Sequence, residues 1–326
     1  MAVSLTQHSS QTDGETSRCN ICGGQVINLF PFENSSTVIH CKICGTESIR
    51  PLPTPEQIEN YYANYPTTKT PEEQIHYLTA LSVEALQFYI SKMNLRNNPP
   101  GCLRFLEIGF GNGAGLFAGY KLGFQSYGID LDPASVSSAK AFAEKHTYAV
   151  TCICGDVTLL RTRDIKFDIV KASHILEHVI DPIRFLSDIA QAQPAGGYLI
   201  LECPNNKAAF WFLKNRVRKA FNRLNFYNSL KLQEHLWGYT KKSLPLVLRK
   251  AGYRVLFFRD YAVGNVIFHP QTALWYPTLR DGFRQSLRYR RWHPLIYPSV
   301  RVFDSLSSKL FRMGTGLAVL CQKIES

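Results

Sequence analysis

The 326-residue sequence contains no apolar run of about 18 residues, the length that a membrane-spanning helix needs. Its first 17 residues lack both the apolar segment of a secretory signal and the arginine-rich pattern of a transit peptide. An internal repeat is also missing. We therefore expect a globular cytoplasmic protein with a disordered tail over residues 1–17.

Paired cysteines that would suit a disulfide framework are missing as well. The nine cysteines are an odd number, and five are scattered through apolar segments, which is typical of a reducing compartment. The other four form two CxxC-Gly pairs at a spacing expected of a four-cysteine zinc site. We predict a structural zinc, without an open coordination position, in a ribbon or knuckle module over 18–50. Its ligands are Cys19, Cys22, Cys41 and Cys44.

Acidic residues are scarce in the C-terminal part. Residues 207–326 hold five Asp and Glu against 22 Lys and Arg, whereas residues 1–206 hold 20 acidic against 15 basic residues. The imbalance predicts a polyanionic partner or surface for the C-terminal part, and it leaves the first half to a neutral or cationic ligand.

The apolar pattern predicts an α/β protein. Residues 51–100 form a linker with helices, one of them over 73–94. From Leu103 onwards, apolar strands alternate with helices, which indicates a doubly wound parallel sheet over 101–326. Insertions at 206–238 and 262–313 interrupt the end of this series, and we expect them to cap the carboxyl edge of the sheet, where ligands bind.

A glycine-rich turn, LEIGFGNG, spans residues 106–113 between a strand and a helix. Glycines there let the backbone approach a ligand and leave the N–H groups of the helix start free. The turn alone leaves the ligand open, because it also satisfies a dinucleotide fingerprint with Asp130 as the ribose-binding carboxylate.

The whole segment resembles the class I S-adenosylmethionine-dependent methyltransferases. Glu107 and the three alternating glycines resemble their first motif, and the resemblance continues through 128–130, 154–156 and 167–182. It implies that Asp130 binds the ribose hydroxyls, that Asp156 binds the adenine amino group and that Glu107 anchors the methionine end. The cofactor-binding residues expected on this basis are Tyr65, Glu107, Gly109, Phe110, Gly111, Gly113, Asp130, Leu131, Asp156, Val157 and Ser173.

Methyl transfer requires an aligned acceptor and removal of its proton, for which histidine is a suitable base. His178 follows the fourth strand of the predicted sheet. His235 lies in a stretch that resembles sugar C- and O-methyltransferases, where Glu234 either orients it or acts as the base itself. We therefore take His178, Glu234 and His235 as catalytic candidates, with capping of the next helix as the alternative for the last two.

The HxxEH pattern at 174–178 also occurs in one class of metalloprotease. That class needs a long helix, whereas this segment directly follows a strand and precedes an Asp-Pro pair. The segment also resembles methyltransferases of ubiquinone biosynthesis, some of which bind a divalent ion there. His174 stands in the position of their first acidic ligand, so a catalytic metal remains an alternative.

The N-terminal half resembles methyltransferases of polysaccharide and deoxysugar pathways in its zinc module, a Pro-x-Pro-x-x-Glu motif and the pattern Tyr61-Tyr62-x-x-Tyr65, which implies that Tyr65 closes over the cofactor. The resemblance implies O- or C-methylation of a sugar-like, glycolipid or other small-molecule acceptor. An rRNA-type methyltransferase that binds phosphates with the basic C-terminal part is the alternative. Enzymes that methylate a base nitrogen usually have an Asn/Asp-Pro-Pro-Tyr loop after the fourth strand. This sequence has Ser-His-Ile-Leu-Glu-His there, which favours the sugar-like or small-molecule acceptor over RNA. The intact cofactor motifs argue against a purely binding protein.

Two basic and aromatic segments, 208–227 and 280–298, predict peripheral contact with an anionic membrane. The first segment has an apolar helical stripe, so a cap helix packed on the core is the alternative. Membrane contact would suit an acceptor on a lipid carrier.

Overall fold

The computed structural model describes residues 18–31, 36–63, 70–95, 100–162, 165–209, 234–261, 306–311 and 313–324. The predicted tail, most of the helix at 208–227 and most of the insertion at 262–313 lie outside these residues. The described helices are α1 (Pro55–Ala63), α2 (Glu72–Ile90), α3 (Ala114–Lys121), α4 (Pro133–Lys145), α5 (Pro182–Gln191) and α6 (Ser243–Lys250). The strands are β1 (Val26–Pro31), β2 (Thr37–Cys41), β3 (Glu47–Arg50), β4 (Arg104–Ile108), β5 (Gln125–Asp130), β6 (Val150–Cys154), β7 (Ile169–Ser173), β8 (Tyr198–Pro204), β9 (Trp237–Gly238), β10 (Tyr253–Tyr261) and β11 (Gly316–Lys323).

The main sheet has seven strands in the order β10-β11-β8-β7-β4-β5-β6. The pairs β8-β7, β7-β4, β4-β5 and β5-β6 are parallel, which confirms the predicted α/β fold. Strand β11 differs from the parallel expectation, because it runs antiparallel to both β10 and β8. Antiparallel neighbours need no crossover helix, so β11 can be inserted directly between them.

Alternate side chains of the central strand β4 serve opposite faces of the sheet. Phe105 packs with buried residues of α2 and α3, whereas Leu106 packs with buried residues of α5 and α6. Helix α4 completes the first layer, because Phe142 stacks on Phe117 of α3 and Val136 lies in the same buried cluster. Both faces of the sheet are therefore covered, and the loops at the carboxyl ends of its strands are left to form a site.

Helices α4 and α5 begin with the same local signal, an aspartate followed by a proline. Asp132 accepts hydrogen bonds from the backbone N–H groups of Ala134 and Ser135, and Asp181 does the same for the first turn of α5. Such caps satisfy N–H groups that have no partner within a helix. They fix where each helix starts after its strand.

The second sheet joins two distant parts of the chain, in the order β1-β2-β3-β9. Its first three strands come from the cysteine module, whereas β9 comes from the predicted insertion at 206–238. Thr46 Oγ1 donates to the carbonyl of Gly238 at 3.0 Å, and Thr240 Oγ1 donates to that of Cys44 at 2.8 Å. The cysteine module is thus hydrogen-bonded to the segment between β8 and α6.

Candidate active site

The glycine turn between β4 and α3 leaves room for a ligand. Gly109 and Gly111 have φ angles of 65° and 52°, which residues other than glycine rarely adopt. A Cβ atom on Gly109 would lie 2.2 Å from Ile175 Cδ1, whereas one on Gly111 would meet nothing within 4 Å. Gly109 is therefore required by packing against the loop after β7, and Gly111 exposes backbone to open space where a ligand can approach.

Asp130 ends β5 beside this turn. Its Oδ2 accepts the N–H of Gly111 at 2.8 Å, and its Oδ1 accepts the N–H of Asp132 at 2.9 Å. Burial raises the pKa of this carboxyl group. Each carboxylate oxygen has a second lone pair, so the group is held in place and can still accept from two hydroxyls. The neighbouring Leu131 is 57% exposed and offers an apolar surface.

Asp156 follows β6 in the next loop. Its Oδ1 accepts the N–H of Thr158 at 2.8 Å, which caps a 3-10 turn, and Val157 beside it is buried. The hydroxyl of Thr158 donates to the same oxygen. Neither bond uses Oδ2, so the exposed carboxylate has capacity for an external donor.

Glu107 on β4 is buried and paired with Lys171 on β7, with 2.5 Å between Nζ and Oε1. Burial lowers the pKa of Lys171, but the charges of Glu107 and Glu202 outweigh burial and raise it. Glu107 Oε2 has no hydrogen-bond partner among the described residues. That buried oxygen fits a cationic ligand group.

Three predicted cofactor residues differ in what they can offer. The ring of Phe110 is buried, and a Cβ atom on Gly128 would lie 2.5 Å from it, so Phe110 offers a ligand its backbone alone. Ser173 Oγ donates to Glu202 Oε2 at 3.0 Å, and Tyr89 donates to the other oxygen of that carboxylate. Tyr65 lies outside the described residues.

The catalytic candidates come together at the carboxyl edge. The rings of His178 and His235 meet edge to face, with 4.7 Å between their centroids. Ligand atoms of Glu177, His178 and His235 all lie within 4.8 Å of one another. Helix α6 begins only at Ser243, so Glu234 and His235 do not cap it. The Oε2 atom of Glu234 instead accepts the hydroxyl of Tyr61 at 3.4 Å.

Glu177 is fully buried at the centre of this group. Its Oε1 lies 3.4 Å from His174 Nδ1 and 3.8 Å from His178 Nε2. Burial opposes its ionisation, but the imidazoles of His174, His178 and His235 outweigh burial and lower its pKa to about 2. Glu177 is thus a buried anion whose charge acts on several imidazoles, although neither of its carboxylate oxygens has a hydrogen-bond partner among the described residues.

His174 was not among the predicted catalytic residues. It has a left-handed φ of 56°, and its side chain is 37% exposed. Partial burial lowers its pKa, but Glu177 outweighs this and raises it. His174 Nε2 lies 3.5 Å from the hydroxyl of Tyr261. The HxxEH spacing was the available signal, since it places both imidazoles near one carboxylate.

The four predicted zinc ligands also converge. Cys19 Sγ lies 3.8 Å from Cys44 Sγ, and Cys22 Sγ lies 3.4 Å from Cys41 Sγ. All four sulfur atoms are within 4.8 Å of one another. A tetrahedral ion with zinc–sulfur bonds of about 2.3 Å requires sulfur atoms about 3.8 Å apart. The set therefore fits zinc.

Comparison with known proteins identifies the core. The Methyltransf_11 family, described as a methyltransferase domain, matches residues 106–201. The ubiquinone biosynthesis O-methyltransferase of Bradyrhizobium sp. (strain ORS 278) is 33% identical over 103 residues, which are 32% of this chain and 40% of that protein. The enzyme of the same name from Coxiella burnetii (strain Dugway 5J108-111) is 30% identical over 120 residues, 36% of this chain and 51% of that protein. The chain thus spans about half the length of these relatives.

Solved structures are similar over more of the chain, at lower sequence identity. A SAM-dependent methyltransferase from Archaeoglobus fulgidus has a TM-score of 0.45 and 19% identity, covering 75% of this chain and 94% of its own. Magnesium protoporphyrin IX methyltransferase from Synechocystis PCC 6803 has a TM-score of 0.47 and 13% identity, covering 82% and 94%. Together with the strand order and the glycine turn, the family match shows that the core of this chain is a class I S-adenosylmethionine-dependent methyltransferase domain.

Proposed function

We propose that this protein transfers a methyl group from S-adenosylmethionine to an oxygen or carbon of a small-molecule acceptor of the sugar-like or glycolipid class. The observation that carries the proposal is the cluster of His174, His178 and His235 around the buried Glu177. Ile175 in the same loop packs against Gly109, so this cluster adjoins the glycine turn. Proton-accepting groups thus lie beside the cofactor loop.

The cofactor fits the groups that surround the turn. Asp130 accepts the two ribose hydroxyls, Asp156 accepts the adenine amino group, and Leu131 and Val157 contact the ring. Glu107 Oε2, a buried oxygen without a hydrogen-bond partner among the described residues, accepts the ammonium group of the methionine end. When bound, the cofactor supplies a methyl group activated by a sulfonium. The chain therefore has to orient the acceptor and remove its proton.

One imidazole of the cluster takes the acceptor proton. His178 and His235 are the candidates from the sequence, with Glu234 beside His235, and His174 joins them on its contact with Glu177. A buried carboxylate stabilises the imidazolium that forms when the base is protonated. The alternative role of the same cluster is to bind a divalent ion through Glu177, His178 and His235. Their ligand atoms lie within 4.8 Å of one another, which is close enough to share one ion.

The acceptor class is inferred from the chemistry around the cluster. The carboxylates of Glu177, Glu202 and Glu234 lie at or near the carboxyl edge, together with the hydroxyls of Tyr61 and Tyr261. Glu234 and the two tyrosine hydroxyls can exchange hydrogen bonds with a polyhydroxylated molecule, and the charges of the three carboxylates repel phosphates. This arrangement favours a sugar-like acceptor over RNA. The O-methyltransferase names of the relatives support an oxygen acceptor.

We propose a structural zinc at Cys19, Cys22, Cys41 and Cys44, supported by their mutual distances. Peripheral contact with an anionic membrane in the cytoplasm is also proposed, on the charge of residues 207–326. None of the described helices is long and apolar enough to cross a bilayer.

The test is turnover with methyl-labelled S-adenosylmethionine against separate pools of sugar nucleotides, glycolipids and RNA, with products identified by mass spectrometry. We expect label in a sugar-containing product, and none when Asp130→Ala replaces the wild type. Label in RNA alone would reject the acceptor class. Cofactor binding without label in any pool would favour a purely binding protein.

A further inference from the structure

A second group of metal-binding side chains lies away from the cysteine module and the active site. Glu72 and His76 are on the first two turns of α2, and His146 directly follows α4. His146 Nε2 lies 2.8 Å from Glu72 Oε1, and His76 Nε2 lies 3.9 Å from the same oxygen. One ligand atom from each residue fits within a span of 4.8 Å.

These distances are close to those of a metal site. Ligand atoms about 2.0–2.1 Å from a tetrahedral zinc are about 3.3 Å apart, a value between the two that are observed. The side chains of Glu72 and His76 are both 41% exposed and that of His146 is 22% exposed, so an ion can enter from solvent. Two imidazoles and one carboxylate suit borderline divalent ions such as Zn²⁺.

The three ligands are held in place before any ion binds. Glu72 and His76 are four residues apart on one helix, which places them on the same face. The ring of Phe142 packs beneath both imidazoles, with centroid distances of 5.2 Å to His76 and 4.4 Å to His146. The imidazoles also meet each other edge to face at 4.6 Å. Little side-chain freedom remains to be lost on binding.

We propose that Glu72, His76 and His146 form a second, solvent-accessible site for a divalent transition-metal ion, which links the start of α2 to the end of α4. Water completes the coordination shell. Lys145 pairs with the other oxygen of Glu72 at 2.6 Å and opposes the ion by its charge. The site does not depend on the proposed methyl transfer.

The site connects to the cofactor turn through packed rings. Phe142 stacks on Phe117 of α3 at 4.8 Å, and a Cβ atom on Gly113 would lie 2.6 Å from the ring of Phe117. An ion that links α2 to α4 therefore stiffens the layer directly beneath the glycine turn.

Calorimetric titration of Zn²⁺ into untagged protein, whose cysteine module is already loaded with zinc, tests the proposal. We expect one further equivalent of Zn²⁺ per chain. His76→Gln and His146→Gln should each weaken this step at least tenfold. Glu84→Gln, an exposed carboxylate on the same helix, should leave it unchanged. Lys145→Gln should strengthen binding about threefold, because it removes a repelling charge.

Hydrogen exchange gives a second readout that is independent of activity. Zn²⁺ should slow exchange in the first turns of α2 and the last turn of α4 in the wild type, and not in the double His variant. The proposal is overturned if no further equivalent binds, or if the double variant binds as the wild type does. It is also overturned if His178→Gln abolishes the step instead, because the ion then lies beside Glu177.

Discussion

The imidazoles of His178 and His235 meet edge to face at 4.7 Å, although one follows β7 and the other precedes β9. The backbone holds them together, since the carbonyl of Glu177 accepts the N–H of Leu236 at 2.7 Å. The indole of Trp237 also donates to the carbonyl of Val179 at 2.9 Å. Their proximity is thus built into the fold.

Replacing the base should lower turnover strongly and leave cofactor affinity nearly unchanged. The single variants to compare are His174→Ala, His178→Ala and His235→Ala. We expect the variant that lacks the base to lose about a hundredfold or more in kcat. Labelled methyl transfer measures kcat, and calorimetry measures cofactor affinity. Wild-type kcat in all three variants would exclude an imidazole base.

Glu177→Gln should lower the pKa of His174, because the buried carboxylate raises it in the wild type. Imidazole titration by NMR measures the shift. A raised folded-state pKa stabilises the fold below the unfolded value of about 6.5 and ceases to do so as pH rises through the folded value. The wild type should therefore exceed the variant in unfolding free energy by more at pH 6 than at pH 9.

The Glu177→Gln variant also tests how the free energy of unfolding depends on pH under acidic conditions. Glu177 has a pKa lowered to about 2, so its contribution is present above the unfolded value of about 4.3 and is lost as pH falls towards 2. Denaturant unfolding at pH 3 and pH 6 should show a smaller wild-type advantage at pH 3. An advantage that does not change with pH would contradict an ionised Glu177.

Asp130→Asn should weaken cofactor binding at least tenfold, because an amide is a poorer partner than a carboxylate for two ribose hydroxyls. Asp132→Asn is the matched control. Asp132 caps α4 through Ala134 and Ser135, so this change should cost at most about 1 kcal/mol of stability and leave cofactor affinity near the wild-type value. Equal affinities in both variants would reject the assignment of Asp130.

Loss of the knuckle zinc should unfold the first 50 residues. After mild dialysis that empties weak exposed sites, we expect a strong chelator to release one zinc per chain. Cys41→Ser should have the same effect, while Cys102→Ser, an exposed cysteine outside the cluster, should not. Metal analysis and hydrogen exchange check this. Finding no bound zinc in protein that was purified under reducing conditions would refute the proposed zinc site.

Binding to anionic vesicles should depend on salt. The excess of Lys and Arg over residues 207–326 predicts co-sedimentation at low salt that weakens at high salt, because screening reduces each contact with the surface. Neutral vesicles are the control. Protein that stays in the supernatant with anionic vesicles at low salt would reject membrane contact.

Local sequence signals predicted most of the core. The glycine turn at 106–113 and the alternation of apolar strands with helices locate the sheet, and the paired CxxC motifs locate the cysteine cluster. These features arise from residues close together in the chain, where periodicity and turn chemistry act directly.

Long-range partners were beyond the sequence. The pairing of Lys171 with Glu107 joins two strands, and nothing in either strand alone specifies it. The pairing of β3 with β9 depends equally on the folded chain. The antiparallel direction of β11 is of the same kind, since an apolar run carries no sign of its direction.

The bond from Thr46 to Gly238 spans 192 residues of sequence. A ribosome that adds about 5–20 residues per second needs about 10–40 s to synthesise the intervening chain. During that interval β3 emerges with an open edge, which is the kind of edge that pairs with other chains. The nascent protein therefore passes through a stage in which the edge of β3 is unpaired, before the last strand of that sheet exists.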